Sequence, residues 1–205
     1  KSFTQFLASL LVMFPSGLIS GQEYDTIIRN GRVIDGSGNP WYVMDIGIIN
    51  DRITKIADLS VAEADRVIDA SGLIVSPGFI DPHTHALRGI FDVPNAESAL
   101  LQGVTTLTEG NDGSSPFPID EHFQDILEKK ISPNWGVFVG QGTIRSAVIG
   151  PEEREPNSEE MARMKDMVRQ AMEQGALGIS TGLFYVPGSF TSTEEIIELA
   201  EVTAE

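Results

Sequence analysis

The chain has 205 residues, and 30 Asp and Glu against 14 Lys and Arg give it a formal charge of −16 at neutral pH. That balance argues against a nucleic-acid binder, whose surface must neutralise phosphates, while 41% hydrophobic and 21% charged residues are ordinary globular usage. The absence of cysteine excludes disulfides, thiol nucleophiles, zinc fingers and iron–sulfur ligation, so any metal must be held by carboxylates or by the three histidines, His83, His85 and His122.

Residues 1–21 open on Lys1, carry an apolar stretch of nine residues at 6–14, and break at Pro15-Ser16-Gly17. This pattern reads as a secretory signal peptide lacking its first residues. A membrane-spanning helix needs about 20 apolar residues, so no stable membrane anchor is expected. The expected destination is a bacterial periplasm or the exterior, where a protein without cysteine relies on its core alone.

Residues 22–76 alternate short β-prone runs (26–29, 33–34, 45–49, 53–56, 67–68, 73–75) with turn residues. Asn30-Gly31, 35–40 and Asn50-Asp51 are hairpin and turn signals, so the segment is expected to be a small antiparallel β unit. Gly36-Ser37-Gly38 lacks the third glycine and the following helix of a phosphate loop, and reads as a turn.

From residue 77 the period changes. Apolar runs at 79–80, 104–107, 137–139 and 177–179 read as buried strands, and 96–101, 120–130 and 157–174 as helices. Asn157 and Glu160 form a capping box, Met161, Met164, Met167, Val168, Ala171 and Met172 make one core-facing stripe, and Gly175 ends the helix. Thr191-Ser192-Thr193-Glu194 reads as a second capping box, with Ile196, Ile197 and Leu199 near one face. That helix runs to Glu205 with no stop signal, which predicts that the chain is the first part of a longer one. Four βα units in residues 77–205, against about 250 residues for a closed barrel, fit half of a (β/α)8 barrel; an open doubly wound sheet is the competing architecture.

The chemistry concentrates in Pro77-Gly78-Phe79-Ile80-Asp81-Pro82-His83-Thr84-His85. Residues two apart on a strand share a face, so His83 and His85 at the end of the first strand can chelate one ion, and the C-terminal strand ends are the active-site face of a parallel barrel. The second strand ends Thr108-Glu109-Gly110-Asn111-Asp112-Gly113, which brings carboxylates within reach of that ion. Imidazole and oxygen donors together suit zinc or a similar divalent cation. Gly178-Ile179-Ser180-Thr181-Gly182 matches the serine-hydrolase elbow, but no histidine follows His122 and no helix follows the turn directly, so Ser180 is not read as a nucleophile. His122, at a helix start, is read as exposed and without chemistry.

These residues resemble the amidohydrolase superfamily and, within it, the D-aminoacylase (N-acyl-D-amino-acid deacylase) family. The likeness covers residues 24–205 and rests on Asp25-Thr26-Ile27-Ile28-Arg29-Asn30-Gly31, the segment from Pro77 to His85, Gly103-Val104-Thr105-Thr106, Gly142-Thr143-Ile144-Arg145, and the run from Gly175 to Gly188. The Ser-Thr-Gly-Leu-Phe-Tyr-Val-Pro-Gly portion of that run is the most specific. The resemblance implies an α/β fold: a small composite β-sandwich subdomain over 22–76, and a (β/α)8 TIM-type barrel of which 77–205 holds about the first four βα units. It implies one or two divalent ions, usually zinc, with His83 and His85 as ligands. Asp112 falls where the family has a metal-binding cysteine, so a harder ligand takes that place. It further implies hydrolysis of a small N-acyl amino acid by metal-activated water, Tyr185 facing the substrate, and a general-base aspartate beyond Glu205. Two departures from the family pattern are Ala86 after the second histidine and Gln141 in place of a histidine. The alternatives are a cyclic-amide hydrolase, disfavoured because residues 166–205 hold no lysine to carboxylate, and a non-catalytic binding protein on a degenerate barrel.

Overall fold

A computed structural model describes residues 23–205, so the signal-peptide reading of residues 1–21 lies outside the described residues. The chain divides into two compact units, between Pro77 and Gly78.

The first unit has two sheets. One has four strands, β1 (Tyr24–Arg29), β4 (Asp45–Ile49), β5 (Arg52–Ala57) and β6 (Ala64–Asp69), in the order β5-β4-β1-β6; the other has β2 (Arg32–Val33), β3 (Tyr42–Val43) and β7 (Ile74–Val75), in the order β3-β2-β7. Asn50 and Asp51 both have positive φ, 48° and 62°, as a two-residue hairpin turn between β4 and β5 requires. The expectation of a purely antiparallel unit is corrected: β6 pairs parallel to β1, and β7 parallel to β2. Hairpin signals report only the pairings between chain neighbours, whereas both parallel pairs join strands distant in sequence. Tyr24, Ile27 and Leu59 form the small core, and the buried Asp45 carboxylate accepts the backbone N–H groups of Asn30 and Leu59, each at 3.0 Å.

In the second unit β8 (Phe79–Asp81), β9 (Val104–Glu109), β10 (Asn134–Val137), β11 (Val139–Gly140) and β12 (Ile179–Ser180) are all parallel to their neighbours. The third strand is interrupted at Phe138, its first half pairing back to β9 and its second half forward to β12; Phe138 N–H still donates to the Glu109 carbonyl at 2.8 Å. The strands therefore run in chain order without reversal. That is the order of a barrel wall, and it removes the doubly wound sheet, whose order reverses at a switch point.

The helices are α1 (Glu97–Leu100), α2 (Ile119–Lys129), α3 (Gln141–Val148), α4 (Ser158–Glu173) and α5 (Thr193–Val202). The α4 capping box is present, and its C-terminus closes as a Schellman motif, Ala176 N–H donating to the Ala171 carbonyl and Gly175 N–H to that of Met172. Met164, Val168 and Ala171 of α4 pack with Val137, Val139, Ile144 and Leu199 in the main core, so the methionine stripe is packing.

Four local expectations are corrected. The α3 helix was not foreseen, because its buried positions Gln141, Ile144 and Arg145 include two polar residues and so leave no apolar stripe. The α5 cap is Ser192 rather than Thr191, and the helix ends at Val202; Glu195, in the third position, turns its side chain to Arg145 instead of back to the cap. Phe79 and Ile80 of β8 are 60% and 64% exposed, not buried. His122 is buried, not exposed, and its Nε2 accepts the Trp135 indole N–H at 2.9 Å.

Candidate metal centre

The site is built on the C-terminal ends of β8 and β9. Beyond β8 the Asp81 carboxylate accepts the His83 N–H at 3.1 Å, turning the chain so that both histidines leave the strand end together. The loop is then strapped to β9. Thr84 N–H donates to the Thr108 carbonyl at 3.1 Å, and the Thr84 hydroxyl lies 2.7 Å from that carbonyl and 3.0 Å from Glu109 Oε1. Glu109 is buried and also accepts the Leu87 N–H at 2.8 Å, while the Asn111 amide donates to the carbonyls of Thr84 and Thr108. The two carboxylates at this strand end thus divide their tasks: Glu109 fixes the histidine loop, and Asp112 faces the histidines.

Asp112 Oδ2 lies 3.5 Å from His83 Nε2 and 3.4 Å from His85 Nε2. The two imidazoles meet edge to face with centroids 5.5 Å apart, and one donor atom from each of the three residues falls within 4.8 Å of the others. Both carboxylate–imidazole separations are short enough for the three residues to share one ion. The donor set, two imidazole nitrogens and a carboxylate oxygen, fits a borderline cation such as zinc. The side chains are 57%, 52% and 38% exposed, leaving room for further ligands.

Beside these residues opens a cleft of about 670 Å³ lined by His85, Arg88, Asp112, Thr143, Tyr185 and Gly188, among others. Tyr185 is among the residues lining this cleft; it is 57% exposed and meets Phe184 edge to face. Arg88, which sequence reasoning passed over, is exposed on the short turn after His85; its position two residues past Ala86 was the available signal. His122 lies apart, in the Trp135 contact; burial holds its imidazole below the ordinary histidine value, against the pull of Asp125 and Glu109.

The amidohydrolase family model matches residues 66–190. The chain is 40% identical to the D-aminoacylase of Alcaligenes xylosoxydans xylosoxydans over 201 residues, 87% of this chain and 42% of that protein. Among solved structures, the N-acyl-D-glutamate deacylase of Bordetella bronchiseptica, complexed with zinc and a phosphonate mimic of the tetrahedral intermediate, superposes with a TM-score of 0.83 at 33% identity, over 88% of this chain and 43% of that one. A D-aminoacylase with a binuclear metal centre superposes with a TM-score of 0.76 at 38% identity, over 87% and 43%. The chain therefore spans just over two fifths of the length of these relatives, and over that span it has their barrel-type fold. By the family match and this shared fold, the chain belongs to the amidohydrolase family.

Proposed function

We propose that the protein is a metal-dependent hydrolase that cleaves the amide bond of N-acyl-D-amino acids. The observation that carries this reading is the convergence of His83, His85 and Asp112 at two adjacent strand ends, in a chain 40% identical to a D-aminoacylase. A zinc-class ion held there supplies a Lewis acid for the scissile carbonyl and lowers the pKa of water. The residues of this chain do the rest. His83 and His85 offer their Nε2 atoms, which the loop straps from Asp81, Thr84 and Glu109 keep on one side of the strand ends. In this reading the Tyr185 phenol, from a residue that lines the cleft, donates a hydrogen bond to the substrate's carbonyl or carboxylate. The Arg88 guanidinium supplies a cation on the cleft wall, suited to an anionic substrate. Asp112 in place of a thiolate makes the ligand set harder, so the ion is exchanged for other divalent cations more readily than at a cysteine site.

The test is release of free amino acid from N-acetyl-D-amino acids by protein expressed from its complete reading frame. Turnover that chelation abolishes and zinc restores is expected. Zinc-loaded protein that leaves these substrates intact overturns the reading, and hydrolysis of hydantoins instead supports the cyclic-amide alternative. We also infer export, on the apolar run at 6–14; no described helix is long and apolar enough to cross a membrane. A mature N-terminus near Gln22 in the periplasmic fraction is expected, and cytoplasmic protein retaining residues 6–14 contradicts it.

A further inference from the structure

The residue that matched the nucleophile position of a serine-hydrolase motif has another role. Ser180 ends β12, and its hydroxyl is committed twice: it accepts the Gly113 N–H at 3.1 Å and donates its one proton to the Gly110 carbonyl. Those two groups bracket Asp112, from two residues before it to one residue after. Asp112 sits in the left-handed region, φ 57°, which a residue with a side chain adopts at a cost of about 1 kcal/mol and keeps only when its surroundings enforce it. The enforcement comes from within the turn, from α3, and from the backbone at the end of β11 and just past β12. Thr143 N–H donates to the Gly113 carbonyl at 3.1 Å, and Ser114 N–H closes the turn onto the Asn111 carbonyl at 3.2 Å. A Cβ on Gly182 would overlap the Asp112 carbonyl oxygen, and one on Gly140 would lie 2.5 Å from the Gly113 carbonyl carbon, so the turn lies directly on those two backbones.

We infer that Ser180 is a positioning residue for the metal site: its hydroxyl clamps the Gly110–Gly113 turn so that Asp112 meets His83 and His85. With its proton donated to the Gly110 carbonyl and one lone pair taken by the Gly113 N–H, the hydroxyl gives its proton to a backbone carbonyl and not to a general base. This inference rests on the reading of Asp112 as a ligand. It also explains how a carboxylate on a flexible-looking Gly-Asn-Asp-Gly turn is held to a fixed distance from two imidazoles supplied by another strand.

The experiment is a cobalt(II) titration followed by visible absorption, on protein from the complete reading frame, for the wild type, Ser180→Ala, Ser180→Thr, Asp112→Ala and the Ser180→Ala/Asp112→Ala double variant. Loss of a group that orients a ligand lowers metal affinity about 10- to 100-fold. Ser180→Ala is expected to fall by at least about tenfold and to shift the ligand-field bands. Ser180→Thr, which keeps the hydroxyl, is expected to bind as the wild type does. In the Asp112→Ala background Ser180→Ala is expected to cost nothing further, because the two act through one contact. Additive losses, or an unshifted spectrum in Ser180→Ala, overturn the inference while leaving Asp112 as a ligand. An Asp112→Ala variant that binds cobalt as the wild type does overturns the ligand reading itself. Should Ser180→Ala fail to fold, Ser180→Cys takes its place, with affinity expected between those of the wild type and Asp112→Ala; wild-type affinity there contradicts the clamp.

Discussion

Replacing Arg145 by methionine tests the buried polar contact that joins α3 to α5. Arg145 and Glu195 form an ion pair in which both side chains are 0% exposed, and the Gln141 amide donates to the same carboxylate at 2.7 Å and to the Thr191 hydroxyl at 2.8 Å. Arg145 also donates to the Arg154 carbonyl at 2.6 Å. Removing one partner of a buried pair strands the other charge, at a cost of about 3–5 kcal/mol. For a unit of this size about 3–5 °C of Tm follows each kcal/mol, so Arg145→Met is expected to melt about 10–20 °C below the wild type. The loss has a pH signature. Burial pushes the Glu195 carboxyl above the ordinary glutamate value even beside Arg145 and Gln141. Without the guanidinium it rises further, so the folded variant binds a proton more tightly than the unfolded chain. Stability is then present at acid pH and lost as pH rises through the folded value. The deficit of Arg145→Met should shrink on acidification, and Arg145→Met/Glu195→Leu, which buries no charge, should recover most of it at neutral pH. Urea denaturation of unit-containing protein at pH 7 and near pH 4 measures both effects. A deficit under about 1 kcal/mol, or one that does not change with pH, refutes the argument.

Two further predictions concern pH. The Arg154 guanidinium grips both oxygens of Glu160, at 2.7 and 2.8 Å, and together with the Asn157 N–H holds its carboxyl down at about 2. Its folded value is depressed, so its contribution is present above the unfolded value and is lost as pH falls through about 2; Glu160→Gln should flatten the acid limb of the stability profile, and an unchanged limb contradicts this. His122 is held below the ordinary histidine value by burial while its Nε2 accepts from Trp135. Acidification below about 6.5 therefore favours the unfolded chain, which binds the proton first; His122→Phe should lose this slope, and an identical slope in the variant contradicts it.

The sequence made the barrel strands and the His-x-His pair readable because both depend on short-range pattern: apolar runs at regular spacing, and side chains two apart on one face. The α4 helix was readable from end to end, since Asn157, Glu160 and Gly175 carry its caps locally. Long-range contacts were not. The parallel partners of β1 and β2 lie about forty residues away, so turn residues say nothing of them. His122 looked exposed because Asp120 and Glu121 flank it, yet Trp135 on the next strand draws it inward. At the site, Asp112 followed from its place after β9, but the separate task of Glu109 appears only when the Leu87 N–H arrives at its carboxylate. Ser180 carried a misleading local motif; what it holds lies some seventy residues earlier.

The central claim is that His83, His85 and Asp112 hold one ion together, and zinc content after exhaustive dialysis tests it most directly. Protein from the complete reading frame should retain tightly bound zinc, and His83→Ala, His85→Ala and Asp112→Ala should each lose affinity for it while remaining folded. Wild-type protein that emerges free of zinc and binds none on titration, or an Asp112→Ala variant with unchanged zinc content and affinity, contradicts the account.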